Sequence, residues 1–127
     1  MNTKSNWKCK AMSTREVGTN YEVLAEQYLK ERGLLPLARN QRVHHAEIDL
    51  ILKDGQYLVF VEVKYRRNQH FAKVLEQLRV SQLERIKYAA RAWMASEKLI
   101  EHRTYCRFDL IIITGEPFHI EWFKDAF

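Results

Sequence analysis

From Ala46 to Arg66 the chain reads AEIDLILKDGQYLVFVEVKYR, two apolar runs with Asp54-Gly55 between them. Asp-Gly flanked by hydrophobic runs signals a hairpin, so strands are predicted over residues 47–53 and 56–65. Upstream, LLPLARNQRV reads as an edge strand, because Pro36 has no N–H to give to a ladder. Before it, Thr19-Asn20-Tyr21-Glu22 fits a capping box and Val23, Leu24, Tyr28 and Leu29 form an apolar stripe. These predict a helix from about Thr19 that stops at Gly33. Downstream, RNQHFAKVLEQLR is read as a loop ending in a short helical turn. A second capping box, Ser81-Gln82-Leu83-Glu84, opens a helix that runs to about Lys98. Its inward face is Leu83, Ile86, Ala89, Ala90 and Trp93 or Met94. RFDLIIIT, residues 107–114, is a buried strand; Gly115-Glu116-Pro117 turns the chain and residues 119–123 make a last short strand.

A hairpin followed by a helical crossover into another strand predicts an α/β fold with a mixed sheet flanked by helices, in the order α-β-β-β-α-β-β. Residues 1–15 are polar and basic without periodicity and read as a mobile leader, within which Met12 offers an alternative start. Residues 16–127 then form one domain, long enough to bury a real core.

The polar positions inside the hairpin carry the chemistry. Glu47 and Asp49 share one strand face, Glu62 and Lys64 share one on the next, and Val59, Val61 and Val63 point the other way. Charges set among Ile, Leu, Val and Phe are costly unless they pair or hold a metal. Magnesium takes hard oxygen ligands, and carboxylates on adjacent strands suit it. Asp49 and Glu62 are the expected metal ligands, with the Val63 carbonyl adding an oxygen. Lys64 is placed to orient an attacking water or to stabilise developing charge. Arg66 and Arg67, beyond the strand end, are placed to hold flanking phosphates.

Simpler roles stand beside these. Glu22 sits where the capping box alone would demand an acid, Glu47 can be a strand-end partner of Arg42 or Arg66, and Asp49, Glu62 and Lys64 can form a buried ion pair without metal. Asp109 reads as structural, pairing with Arg107 or capping a neighbour. His44 and His45 lack the spacing of metal ligands. Trp93 reads as core, and Tyr65 and Phe71 as the more plausible nucleotide contacts.

Composition changes the picture only modestly. The 127 residues carry 21 Lys and Arg against 16 Asp and Glu, a net charge of +5 that suits a polyanionic partner. Cys9 and Cys106 offer no framework or ligand spacing, which fits a reducing cytoplasm. The apolar runs are too short to span a bilayer, and no secretory signal is present, so no membrane partner is expected.

An aspartate followed on the next strand by Glu-x-Lys resembles the PD-(D/E)xK nuclease superfamily, the restriction-endonuclease-like fold. The match is closer to the YraN family of bacterial proteins, similar to Holliday-junction resolvases. The residues that carry it are Gly18, Glu22 and Ala25; Arg39-Asn40; Glu47-Ile48-Asp49-Leu50-Ile51; Phe60-Val61-Glu62-Val63-Lys64 with Arg66; Arg107-Phe108-Asp109; and Ala126-Phe127. Tyr21 and Ala46 stand where that family usually has glycine, and Gln82 where it usually has lysine. The resemblance implies a three-layer αβα core and a Mg2+- or Mn2+-dependent endonuclease acting on branched or structured DNA. Asp49, Glu62 and Lys64 would be at its centre, with Glu22 projecting toward them from the first helix and Glu47 alongside. Arg39, Arg66, Arg67 and Gln82 are the expected nucleic-acid contacts, and a homodimer is allowed because junction cutters commonly use two active sites. The alternatives are a nucleic-acid-binding module of the same fold with little or no cleavage, and a protein-interaction domain whose acids form an ion-pair network.

Overall fold

The computed structural model describes residues 14–67, 78–115 and 117–127. Phe71 and most of the loop predicted over residues 67–79 lie outside them, as do residues 1–13. Helix α1 (Thr14–Glu31) leads into strands β1 (Leu35–Val43), β2 (Ala46–Asp54) and β3 (Tyr57–Arg66). Helix α2 (Val80–Ser96) crosses over, and a 3-10 turn (Glu101–Arg103) precedes β4 (Cys106–Thr114) and β5 (His119–Phe123). The strands lie in the order β1-β2-β3-β4-β5. Only β3 and β4 are parallel, as the crossover through α2 requires. The sheet is mixed and the element order is the expected one.

Strand alternation gives the sheet two apolar faces. Leu50 and Leu52, Val59 and Val61, and Ile111 and Ile113 pack beneath Ala25 and Leu29 of α1. Ile51, Leu58 and Phe60 pack against Ala89, Ala90 and Met94 of α2 on the other face. Leu110 and Ile112 meet Leu78 and Leu83 beside them. The three-layer αβα arrangement follows from these two cores. Val63 packs with Val59 and Val61 as expected, whereas Val23 of the predicted α1 stripe is exposed, its place taken by Ala25.

Local signals were right in kind and shifted in place. Helix α1 begins five residues before Thr19, so the capping box read there does not exist. Of the residues from Thr14 to Gly18, only glycine opposes a helix, and by no more than about 1 kcal/mol, so the helix continues through them. Gly33 does end α1: at φ 94° it closes a Schellman turn in which its N–H reaches Lys30 O and that of Leu34 reaches Leu29 O. Arg79, not Ser81, caps α2, and its side chain makes no capping bond. The hairpin loop is Gly55-Gln56 rather than Asp54-Gly55, since Asp54 pairs with Tyr57 and Gly55 takes the left-handed φ of 61°.

The β4–β5 side is tied by Asp109. Its fully buried carboxylate accepts two bonds from Arg107 (2.9 Å each), one from Trp122 Nε1 (2.9 Å) and one from the Asp125 N–H (2.9 Å). Arg107 also holds Asp54 at 2.8 Å. Asp109 is the structural residue the sequence suggested, and the Ala126 N–H bonded to Phe108 O (2.7 Å) completes the tie.

A carboxylate cluster where the strands part

The β2–β3 ladder stops at Leu50–Val61, one residue short of Asp49. The β1–β2 ladder skips the same place, pairing Arg39 with Leu50 and then Gln41 with Ile48. Asn40, the residue passed over, has a left-handed φ of 52° inside a strand, a conformation that asparagine tolerates better than most residues. Face alternation breaks with it: Ile48 joins the core beneath α2, although Leu50, two residues on, faces α1. The backbone therefore opens around Asp49, and its side chain fills the opening. Asp49 Oδ2 accepts the Val63 N–H at 2.8 Å, a donor that a continuous ladder would have consumed.

Glu22 reaches this opening from α1. It lies three and seven residues before Ala25 and Leu29, both fully buried, so it extends the buried stripe of the helix. With the helix starting at Thr14, Glu22 is mid-helix and has no cap to make. Carboxylate oxygens of Glu22, Glu47 and Asp49 lie within 4.8 Å of one another. Glu62 is buried beside Asp49, and its Oε2 is 3.2 Å from Lys64 Nζ. Glu47 meets Arg42 at 3.8 Å, as one reading of the sequence had it. Two of the four carboxylates have a cation beside them, Glu62 with Lys64 and Glu47 with the largely exposed Arg42.

The electrostatics register that excess. Burial and the neighbouring Asp49 charge push the Glu62 carboxyl up to about 8 against some relief from Lys64. Burial raises Asp49 to about 6, although its bonds to Glu62 and the Val63 N–H pull the other way. Glu22 is raised too, first by burial and also by Glu47 and Glu62, while bonds to Asp49 and Asn40 lower it. Among the described residues, Glu22 Oε1 is the one buried side-chain oxygen or nitrogen without a hydrogen-bond partner. A buried carboxylate oxygen with no donor costs about 1–3 kcal/mol, which a proton or a cation could relieve.

Every acid expected at the site is in this cluster, and Lys64 with it. The phosphate contacts are more scattered. Arg67 is exposed beyond β3, and Arg66 Nη1 donates to Tyr65 O at 2.7 Å. Arg39 is held by Glu26 at 3.5 Å, and Gln82 lies half-buried in the first turn of α2. His44 and His45 form the β1–β2 turn, and neither belongs to the carboxylate group. Tyr65 stacks on Tyr21 at 4.3 Å, so that ring face is already covered. Asn40 was missed as a participant; the available signal was an asparagine inside a strand, a residue depleted there unless a special φ is needed.

Comparison with known proteins places the molecule. The profile of the Uncharacterised protein family UPF0102 matches residues 21–113. A UPF0102 protein of Idiomarina loihiensis is 44% identical over 110 residues, covering 87% of this chain and 95% of its own. One of Photobacterium profundum is 40% identical, covering 91% of this chain and 92% of its own. One of Yersinia enterocolitica is 41% identical, covering 91% and 97%. No helix among the described residues is long and apolar enough to cross a membrane. With the profile spanning both the carboxylate strands and the Arg107–Asp109 tie, and full-length relatives at this identity, the chain belongs to the UPF0102 (YraN) family.

Proposed function

We propose that the protein is a Mg2+- or Mn2+-dependent, nucleic-acid-binding phosphodiester hydrolase, with branched or structured DNA as its substrate. The observation that carries this reading is the convergence of Glu22, Glu47 and Asp49 oxygens within 4.8 Å, next to the Glu62–Lys64 pair. The donor set fits a hard divalent cation: carboxylate oxygens only, one of them buried without a donor. Asp49, Glu62, Glu22 and Glu47 would hold the ion, with the Val63 carbonyl as a further oxygen. When bound, the ion supplies neutralisation of phosphate charge and a more acidic water.

The chain's own groups do the rest. The Val63 N–H fixes the Asp49 carboxylate, and Asn40 steadies Glu22 from the opened strand. Glu62 tethers the Lys64 ammonium, a compact charge suited to a phosphate oxygen carrying developing negative charge. Arg67, with Arg66 beside it, lies where the strand carrying Glu62 and Lys64 ends and would take flanking phosphates. Against a purely structural ion-pair network stands the closeness of the Glu22, Glu47 and Asp49 carboxylates, within 4.8 Å of one another, which sets like charges in contact.

The test is an assay of the purified chain on four-way junctions, flaps, duplexes and single strands in Mg2+ or Mn2+. Cleavage of branched DNA is expected, lost in Asp49→Asn and reduced at least a hundredfold in Lys64→Ala. Binding without product would leave the non-cleaving module as the function. Cleavage surviving the double change Glu62→Gln and Lys64→Ala would exclude this site as its source.

A further inference from the structure

Lys53 is four residues along β2 from Asp49, roughly 13 Å away at the usual strand rise. At that end of the molecule a groove of about 570 Å³ opens between β1 and the end of α2, within the size range of ligand-binding clefts. Six of its eleven lining residues form an apolar floor: Leu35, Leu37, Leu58, Trp93, Leu99 and Tyr105. Leu35, Leu37, Leu99 and Tyr105 are each 40–61% exposed, although a folded chain normally hides such side chains when it can. The groove is built rather than incidental. Lys98, at φ 60°, closes a Schellman turn whose Leu99 N–H bonds Met94 O at 2.9 Å, folding Leu99 back against the helix end. On the other side β1 is the edge of the sheet, shifted in register between Pro36 and Ala38.

Charge selects the occupant. Lys53 and Arg103 stand on the rim, and neither has an ion-pair partner among the described residues; Glu97 is the single acid lining the groove. We propose that this groove docks a short acidic segment of a partner protein, its apolar side chains on the leucine and aromatic floor and its carboxylates on Lys53 and Arg103. Among the described residues no strand pairs with the outer side of β1, so that edge offers hydrogen-bonding groups to the segment's backbone. A nucleic acid does not suit so apolar a floor. A second copy in twofold contact would bring two such basic rims into one interface, each lining holding Glu97 as its single acid. The chain's own residues 1–13 carry three lysines and no acid, so they repel the same rim. The inference is independent of the phosphodiester reading.

The experiment is selection from a displayed library of random octapeptides on the full-length chain, followed by fluorescence anisotropy with the selected peptides. Enrichment of Asp or Glu beside Leu, Ile or Phe is expected. Affinity should weaken at least tenfold in the double change Lys53→Glu and Arg103→Glu and in the separate variant Leu37→Glu, with the thermal unfolding midpoint of each variant unchanged. No selection, selection without acidic enrichment, or affinity that survives both variants would overturn the proposal. Sedimentation showing a dimer dissolved by Leu37→Glu would overturn it in favour of self-association.

Discussion

Replacing Asp49 with asparagine is expected to stabilise the metal-free protein at alkaline pH while abolishing its response to divalent cations. Asparagine keeps an oxygen for the Val63 N–H, so the bond that closes the strand opening survives. What disappears is one charge of a crowded set. For two unit charges at the 4.8 Å limit of the Glu22, Glu47 and Asp49 group, an effective dielectric of ~20 gives a repulsion of about 3 kcal/mol. The Glu47 side chain is 41% exposed, and solvent there, with partial protonation elsewhere, reduces the expected gain to about 1–2 kcal/mol. The sign follows from linkage. A carboxyl whose folded pKa is raised binds its proton more tightly in the fold, so its contribution is full at low pH and lost as pH rises through the folded value. For Asp49 that window runs from its ordinary 3.8 to about 6, and for Glu62 from 4.5 to about 8. Thermal unfolding in EDTA should therefore show no difference at pH 4 and a Tm higher by roughly 3–8 °C in the variant at pH 8.5. Added Mg2+ or Mn2+ at ten times its dissociation constant should raise the wild type by about 1.4 kcal/mol and leave the variant unmoved. A variant less stable than wild type in EDTA at pH 8.5, or one still stabilised by metal, would show that Asp49 is not part of a repelling, metal-binding set.

The wild-type protein without metal should lose stability to urea between pH 5 and 8.5, and saturating Mn2+ should flatten that slope, because the ion replaces the protons that Asp49 and Glu62 otherwise retain. Asn40→Gly keeps the left-handed backbone and removes the amide. It should cost under about 1 kcal/mol in urea unfolding yet weaken Mn2+ binding on the order of tenfold by calorimetry, whereas Asn40→Val should also lose the fold's strand opening and several degrees of Tm. Arg107→Leu leaves the buried Asp109 carboxylate without its bidentate partner and should destabilise the protein by about 3–5 kcal/mol in urea. Arg107→Lys, with one ammonium for two oxygens, should recover only part of that loss.

The sheet was legible because its signals are periodic and redundant. Alternation in β2 and β3, Asp54-Gly55, Pro36 and the RFDLIIIT run each named an element and its place in the order. Helix starts were not, because a capping box is a short pattern that any helix interior can contain by chance. Thr19–Glu22 and Ser81–Glu84 both matched, and in neither does the matched residue cap its helix. The acids were legible for a different reason: a charge among β-branched neighbours has few stable solutions, so Asp49, Glu62 and Lys64 could be singled out one by one. Their closeness to Glu22 could not. It depends on the strands parting at Asn40 and Asp49 and on α1 crossing that opening, which are tertiary facts. Removing Glu22 from the helix start also weakened the simpler explanation for it, since a mid-helix glutamate on the buried stripe has nothing to cap.

Whether these carboxylates hold a divalent ion can be read from anomalous scattering of a crystal soaked in Mn2+, recorded at the manganese edge. A peak is expected in contact with Asp49 and at least one of Glu22, Glu47 and Glu62, absent from Asp49→Asn crystals. A soaked crystal in which manganese binds only elsewhere and no peak touches Asp49 would overturn the metal site.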